Sequence, residues 1–155
     1  MKLIVGCGPD YTKQSPDDVT LDFKAAFKPD IFFNVALGKK WPFEDNTFDE
    51  IEAFHVLEHI EGFKYYRKAM EEMYRILKPE GILRIKVPHR LHRSAYETAD
   101  HVRFFEANSF HDFQTCNPYL EEMEYKTKFE QVEEFVIMEN DNEPKEVNCV
   151  MKKVL

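Results

Sequence analysis

The sequence begins with a short apolar run, Leu3-Ile4-Val5, that is followed at once by Gly6-Cys7-Gly8. The run is rich in β-branched residues and predicts a buried strand. Glycines at its carboxyl end let the backbone turn sharply and let a ligand approach the main chain. Because ligands of open parallel sheets lie beyond the carboxyl ends of the strands, this turn is a candidate cofactor site. A plain tight turn is the other interpretation of the same residues.

An acidic residue, Asp22, stands near the end of the next predicted strand, Val19–Phe23. An acid at the end of the strand that follows a glycine loop is typical of sites that bind the hydroxyls of a ribose. An ordinary surface aspartate is the alternative. Together the glycine turn and the acid favour a ribose-containing ligand at the carboxyl edge of the first two strands.

The rest of the chain alternates short strands with one clear helix. Apolar residues recur at steps of three and four from Phe63 to Leu77, which predicts an amphipathic helix, and Lys78-Pro79-Glu80-Gly81 ends it. Ala107 to Gln114 predicts a second, short helix. Further strands are predicted over residues 31–36, 48–54, 82–87, 126–138 and 146–154. The last two form a hairpin joined by residues 139–145.

Composition limits the class of protein. An apolar fraction of 43% over 155 residues supports one core, so residues 1–155 are expected to form a single domain. The net charge of -8 argues against general binding of nucleic acid. Cys7, Cys116 and Cys149 are odd in number and far apart, which indicates free thiols in a reducing, cytoplasmic compartment. The apolar run near the start is too short for a signal peptide or a membrane span, so no membrane contact is expected.

Four stretches, taken in order, resemble the class I S-adenosylmethionine-dependent methyltransferases, and most closely the small methyltransferase-type-11-like group. They are Leu3–Pro9, Val19–Asp22, Trp41–Asp49 with His55–Ile60, and Tyr74–Gly81. A later piece, His101–Phe105 followed by Ser109-Phe110, also looks like that group. The resemblance implies an α/β fold with a Rossmann-like sheet, mostly parallel, an antiparallel C-terminal hairpin and reduced helices on one face. It implies methyl transfer from S-adenosylmethionine to an unidentified small-molecule acceptor, with S-adenosylhomocysteine as the product.

The same resemblance implies which residues hold the cofactor. The glycine turn would line the methionine moiety and the ribose, Asp22 would accept hydrogen bonds from both ribose hydroxyls, and Phe23 would flank the adenine. The segment that begins at His55 would lie below the sulfonium. The expected cofactor residues are Gly6, Cys7, Gly8, Pro9, Asp22, Phe23, Asn34, Val35, His55, Val56 and Leu57.

Three positions depart from the family pattern. Ile4 stands where many class I enzymes have an acid, and Asp10 replaces the third glycine of the fingerprint. Asn34 replaces the acid on the adenine side, although an amide can also pair with adenine. These departures would weaken or abolish binding of the cofactor. Since the fold alone does not fix the function, a non-catalytic binding module that retains the fold is the alternative.

Methyl transfer is an in-line displacement at a carbon that the cofactor supplies, so the protein mainly aligns donor and acceptor and removes a proton where the acceptor carries one. Histidine is the usual base for that step. His55, His59 and His101 are the candidate catalytic residues. The sequence does not rank them.

A competing motif lies inside the same stretch. His55-Val56-Leu57-Glu58-His59 matches H-x-x-E-H, the inverted zinc-peptidase pattern, in which both histidines share a helix face and the glutamate is the general base. The segment starts where a strand ends, so His55 is not expected to be helical. The sequence identifies no third ligand, and the flanking residues fit the methyltransferase pattern. No metal is therefore expected, and a zinc hydrolase is the remote alternative.

Residues 89–118, which are rich in histidine and aromatic residues, follow the fifth strand at its carboxyl end and are expected to cover the pocket. They begin with a basic stretch, His89–Arg93, that could meet an anionic substrate.

The links before and after the second strand are short. Eleven residues, two of them proline, lie between Gly8 and Thr20, and residues 24–30 join the second strand to the third. Crossovers in parallel sheets usually take a dozen or more residues. One face of the sheet is therefore expected to expose apolar side chains such as those of Ile31-Phe32-Phe33, and a second copy in a two-fold dimer, or another protein, is expected to cover it. The alternative is that the loops at 10–18 and 24–30 suffice.

Overall fold

The computed structural model describes residues 1–9, 11–115, 117, 122, 124–140 and 142–155. The departure at Asp10, the thiol of Cys116 and the end of the segment 89–118 lie outside these residues. Cys7 and Cys149 are free thiols. No helix in the described part of the chain is long and apolar enough to cross a membrane.

Seven strands form one mixed sheet, and the described chain has a single α-helix, which packs on one face of that sheet. The strands are β1 (Lys2–Val5), β2 (Val19–Asp22), β3 (Ile31–Phe32), β4 (Phe48–Phe54), β5 (Leu77–Pro88), β6 (Phe129–Asn140) and β7 (Glu143–Lys153), and the helix is α1 (Phe63–Ile76). Their order in the sheet is β3-β2-β1-β4-β5-β7-β6. The first five strands are parallel, and β7 is antiparallel to both of its neighbours. The predicted fold class is confirmed.

The boundaries of β3 and β5 differ most from the prediction. β3 ends at Phe32 because Asn34 interrupts it: its Oδ1 accepts a hydrogen bond from the Ala36 N–H at 2.9 Å and caps a 3₁₀ turn over Val35–Leu37. The predicted turn at residues 78–81 is a bulge inside β5, where the pairing with β4 jumps from Phe48–Leu77 to Glu50–Ile82. Glu80 has a φ of 65° there. Only glycine fits at 81, because a Cβ would lie 2.8 Å from the Lys78 carbonyl oxygen.

One face of the sheet carries the core. Leu3, Ile51 and Leu83 contribute fully buried side chains from three neighbouring strands, and Met70 and Met73 of α1 pack on that face. The segment after β5 covers the same face. It contributes Phe105, Phe110 and Phe113, and the Phe113 ring lies edge-on to Tyr66 at 5.4 Å. Within this covering segment, the predicted helix at 107–114 is reduced to a 3₁₀ turn over His111–Phe113.

The opposite face of the sheet, here called the open face, has no helix over it in the described chain. The links around β2 and β3 hold only 3₁₀ turns, at Ala25–Phe27 and Val35–Leu37, so the predicted reduction of helices is confirmed. The loop before β2 approaches this face, since Gln14 Oε1 accepts from Lys2 Nζ at 3.2 Å.

The short links led us to expect exposed apolar side chains on the open face, and this expectation is met only in part. Ion pairs cross the middle of this face, joining Lys2 to Glu52 at 3.0 Å and Arg84 to Glu50 at 3.0 Å. Apolar exposure is concentrated at the edge strands of the sheet. The side chain of Phe32 in β3 is 66% exposed, and that of Phe135 in β6 is 43% exposed. The reason is the alternation of charged and apolar residues along β4 and β5, which directs charges away from the core.

Candidate functional site

A cavity of about 320 Å³ opens at the carboxyl ends of β1, β2 and β4. It contains most of the residues that the sequence analysis assigned to the cofactor. Of these, the lining includes Gly6, Gly8, Asp22, Phe23, Asn34, Val35, His55 and Val56. Cys7 and Pro9 belong to the same turn but do not line the cavity, and Leu57 is 1% exposed within the core.

The glycine turn after β1 is held tightly against the end of β4. Gly6 has a φ of 69°, and its N–H donates to the Leu21 carbonyl at 2.8 Å. A Cβ at this position would lie 2.3 Å from Val56 Cγ2, so only glycine lets the two loops pack together. Gly8, with a φ of 65°, has no atom of the described residues within 4 Å of the corresponding position, apart from its chain neighbours. Its main chain is therefore open to a ligand.

Asp22 is buried at the end of β2 and is oriented by the backbone. Its Oδ2 accepts from the Gly8 N–H at 3.2 Å, and its Oδ1 accepts from the Lys24 N–H at 2.8 Å. The side chain is fixed in this way, and only 5% of the residue is exposed. Each carboxylate oxygen still has a lone pair for a further hydrogen bond. Two neighbouring hydroxyls of one ligand fit this arrangement.

Aromatic side chains surround the outer part of the cavity. Phe23 lies at its rim with half of its surface exposed, and Phe27 and Phe33 also line it. The Lys24 ammonium lies 5.5 Å from the ring centres of both Phe23 and Phe27. Asn34 Oδ1 already accepts the hydrogen bond that caps the 3₁₀ turn at Val35–Leu37. The side chain can therefore contact a ligand through its amide nitrogen, which donates hydrogen bonds. Flat apolar walls with a single polar group suit a heteroaromatic ring.

His55 occupies the turn that leaves β4. Its φ of 55° is left-handed, which is uncommon for a residue other than glycine, and its N–H donates to the Lys86 carbonyl at 2.8 Å. The imidazole lies between two carboxylates: Nδ1 is 3.3 Å from Glu58 Oε1, and Nε2 is 3.1 Å from Glu146 Oε1. The interaction with Glu58 outweighs burial and raises the pKa of His55 above its ordinary value.

Glu58, His59 and His101 form a cluster at the inner wall of the cavity. His59 lines the cavity, and its Nδ1 lies 3.2 Å from the Asp100 carbonyl oxygen and 3.3 Å from Asp100 Oδ2. The backbone N–H groups of Val102 and Arg103 both donate to the Glu58 carbonyl, at 2.9 and 3.1 Å. These two bonds bring His101 beside His59, with ring centres 4.7 Å apart.

His55 and His59 do not share a helix face. His55 lies in the turn after β4, and residues 57–59 form a 3₁₀ turn, so the H-x-x-E-H stretch lacks the helical geometry of the zinc-peptidase pattern. The base candidates therefore differ in position: His55 and His59 line the cavity, whereas His101 lies behind His59.

Of the described residues in the segment 89–118, only Asp100 lines the cavity. The basic stretch at its start is held by acids of its own neighbourhood. Arg90 pairs with Glu106 and Arg93 with Glu97, while His92 is buried and contacts Glu139. No residue of the stretch lines the cavity.

The sequence analysis did not identify seven lining residues: Leu21, Lys24, Phe27, Phe33, Ala36, Ile60 and Asp100. Several lie next to residues that were identified, so proximity in sequence was an available signal for Leu21 and Lys24. Asp100 had no such signal, because it reaches the cavity only through the tethering of residues 102 and 103 to Glu58.

Comparison with known proteins gives one family and one fold. The family described as "Methyltransferase domain" matches residues 5–85. No curated protein matches the sequence.

Four solved structures, of three proteins, illustrate the fold. The N-methyltransferase NodS from Bradyrhizobium japonicum has a TM-score of 0.67 at 16% identity, over 99% of this chain and 85% of that chain. Its complex with S-adenosyl-L-homocysteine has a TM-score of 0.65 at 15% identity, over 98% and 76%. A methyltransferase from Methanosarcina mazei, described as SAM-dependent, has a TM-score of 0.65 at 15% identity, over 99% and 92%. The [4+2]-cyclase SpnF has a TM-score of 0.66 at 14% identity, over 99% and 74%. At these identities the likeness concerns the fold.

Proposed function

Because the chain belongs to the methyltransferase domain family, we propose that it transfers a methyl group from S-adenosylmethionine to a small-molecule acceptor. The observation that carries this proposal is the pair formed by the glycine turn and Asp22. The backbone of Gly8 faces open space, and the neighbouring carboxylate is fixed by two N–H groups with lone pairs to spare. This is a cradle for a ribose diol.

The other walls of the cavity match the remaining parts of the cofactor. Phe23 and Val35 would enclose the adenine, and the Asn34 amide nitrogen would donate to one of its ring nitrogens. His55 and Val56 would lie against the methionine end. The volume of about 320 Å³ lies at the lower end of the range of small-molecule pockets.

When bound, S-adenosylmethionine supplies the activated methyl group, and the protein's own residues provide alignment and charge. The end of the cavity near His55 carries two carboxylates, Glu58 and Glu146, around one imidazole. This excess of negative charge would stabilise a sulfonium cation held there. Val56 and Ile60 supply apolar surface that excludes water from the same end.

His59 is the base that the geometry favours. An Nδ1–H donating to Asp100 leaves the Nε2 lone pair available to accept a proton from an acceptor in the cavity. His55 has a carboxylate within 3.3 Å of each ring nitrogen, and its raised pKa favours the protonated form, which cannot accept a proton. His101 is one layer behind the cavity wall.

Calorimetric titration with S-adenosylhomocysteine tests the cofactor site. Asp22→Ala should weaken binding by about 1–3 kcal/mol, because the ribose hydroxyls and two backbone N–H groups lose their acceptor. The matched control is Asp17→Ala, which removes the same side chain before the start of β2. Absence of binding by the unmodified protein at millimolar ligand would contradict the proposal, whereas equal binding by Asp22→Ala would remove only the role of that residue.

A non-catalytic binding module with the same fold is the second candidate, because the fold alone does not fix the activity: the chain is also similar in fold to a protein named as a cyclase. The two candidates differ in turnover. Incubation with methyl-labelled S-adenosylmethionine and a panel of amine, hydroxyl and thiol acceptors should label at least one acceptor. Binding of S-adenosylhomocysteine without transfer to any of them would favour the module.

A further inference from the structure

Two glutamates of the described chain are almost fully buried, and their surroundings differ. Glu72 accepts a hydrogen bond from the Trp41 N–H at 2.8 Å and pairs with Lys68 and Arg75. Glu58 is 1% exposed, yet neither of its side-chain oxygens accepts a hydrogen bond from any described residue. Its nearest cationic neighbour is His55 Nδ1 at 3.3 Å. Burying a carboxylate that accepts no hydrogen bond destabilises a protein. Glu58 is in that position among the described residues, whereas Glu72 is not.

Two histidines supply further unused ligand atoms at the same place. His101 Nδ1 is buried and accepts or donates no hydrogen bond among the described residues. His59 directs Nδ1 to Asp100, which leaves Nε2 free for another role. One ligand atom each of Glu58, His59 and His101 lies within 4.8 Å of the others.

We propose that Glu58, His59 and His101 bind a divalent transition-metal ion, with zinc as the expected ion. Two imidazoles and one carboxylate are a common ligand set for such ions. In a tetrahedral site with bonds of about 2.0–2.1 Å, ligand atoms lie roughly 3.3 Å apart, so the cluster must close by a small side-chain rotation. His59 has the freedom to make it, because its side chain is 36% exposed. The ion would satisfy the buried carboxylate.

Asp100 has a supporting role in this site. Its carboxylate and carbonyl oxygens both face His59 Nδ1, and this contact fixes the tautomer that presents Nε2 as a ligand. The backbone tether from residues 102 and 103 to Glu58 holds His101 in register with the other two ligands. The third ligand therefore comes from a segment that the H-x-x-E-H motif does not contain.

Three protein ligands leave a coordination position open, and His59 places it at the wall of the cavity. An ion there would hold an oxygen or nitrogen atom of the methyl acceptor, and it would replace His59 as the group that favours loss of the acceptor's proton, because the ion takes up the Nε2 lone pair. This consequence rests on the proposed function, but binding of the ion does not.

The test is titration of untagged, metal-free protein with Zn²⁺ by calorimetry, and with Co²⁺ by visible absorption, which reports a tetrahedral nitrogen and oxygen site. One ion per chain is expected. Glu58→Gln and His101→Gln should each weaken binding at least tenfold, since even residues that only support ligands contribute roughly 10–100-fold. Melting curves check that the variants fold. If Glu58→Gln and His101→Gln unfold, His59→Asn, at a partly exposed position, tests whether the ion binds at this site.

The matched control is a second cluster, formed by His92, Glu139 and Glu143. Its members already have partners, because His92 contacts Ser94 and Glu139, and Glu143 accepts from Asn140. Glu139→Gln should leave Zn²⁺ binding unchanged. No binding at 100 µM ion, binding that survives all three ligand variants, or binding lost in Glu139→Gln would overturn the proposal. Titration of the metal-free protein with S-adenosylhomocysteine reports on the proposed function separately.

Discussion

The two faces of the sheet differ in the residues that they carry and in what packs against them. The covered face is filled by Met70 and Met73 of α1 and by three phenylalanines of the segment after β5. The open face carries ion pairs between neighbouring strands and has no helix of the described chain over it. Parallel sheets are normally covered on both faces and read as continuous apolar runs. This chain keeps a parallel sheet but places charged side chains, joined in ion pairs, on one of its faces.

The difference explains how a cofactor-sized cavity persists beside so little helix. The residues that shape the cavity lie at strand ends, and they are fixed by contacts between loops, such as Gly6 with Val56 and Asp22 with Gly8. These contacts do not depend on cover over the open face. The covered face supplies the stability, and the strand ends supply the site.

The largest effect is expected on the covered face. Met70 is fully buried, so Met70→Ala should lower the free energy of unfolding by about 2–5 kcal/mol through lost burial and a cavity. Met138→Ala removes the same atoms from β6, where the residue is 46% exposed. This substitution should change the free energy of unfolding by less than about 0.5 kcal/mol. Denaturant unfolding measures both variants. Similar losses in the two would show that the faces do not differ as described.

The sequence predicted the architecture well, because it is encoded locally. The run of β1, the steps of three and four along α1 and the hairpin signals specify the elements and the mostly parallel sheet. The same sequence also contained the polarity of the open face, since Glu50 and Glu52 alternate with Ile51 and Ala53 in β4. That alternation indicates a solvated face. The expectation of exposed apolar residues followed from the short links instead.

The candidate site was predictable where it depends on neighbours in sequence and unpredictable where it depends on tertiary packing. The glycine turn and Asp22 are separated by one loop, and their chemistry follows from residue type and spacing. The pairing of His59 with Asp100 and the place of His101 require two backbone bonds from a distant segment. Residue type also does not reveal how the two buried glutamates differ. Glu72 accepts hydrogen bonds from three residues, whereas Glu58 accepts none from the described residues.

A smaller effect is expected from the central ion pair of the open face. Lys2 and Glu52 are each only 15% exposed, so Glu52→Gln should cost about 1 kcal/mol, the upper end for surface pairs. Glu130, whose side chain is 56% exposed beside Lys152, is the control: Glu130→Gln should cost less and lose its effect in high salt. Equal costs would show that burial does not distinguish the two pairs.

The same pair predicts a pH dependence. Burial alone would lower the pKa of Lys2, but its hydrogen bond and ion pair with Glu52 outweigh burial and raise the pKa above 10.5. A raised pKa contributes stability that is fully present below 10.5 and is lost as the pH rises through the folded value. Unfolding at pH 8 and at alkaline pH should show this loss in the unmodified protein and less of it in Glu52→Gln.

The smallest effect on stability is expected from Phe135→Ser, at the β6 edge of the open face. Phe135 shares a row of that face with Asn148 and Lys86, and almost half of it is exposed, so the free energy of unfolding should change by less than about 0.5 kcal/mol.

The Phe135→Ser variant tests association between copies of the chain rather than stability. Since the charged middle of the face is already paired, a two-fold contact between copies would use the apolar side chains at its edge. Light scattering at tens of micromolar protein should give twice the chain mass of 18.5 kDa, and Phe135→Ser should return it to one chain. Leu91→Ser, at a more exposed apolar residue outside the sheet, should leave the mass unchanged. A mass of one chain for the unmodified protein would contradict the dimer and leave the loop before β2 as the cover that the chain itself provides for this face.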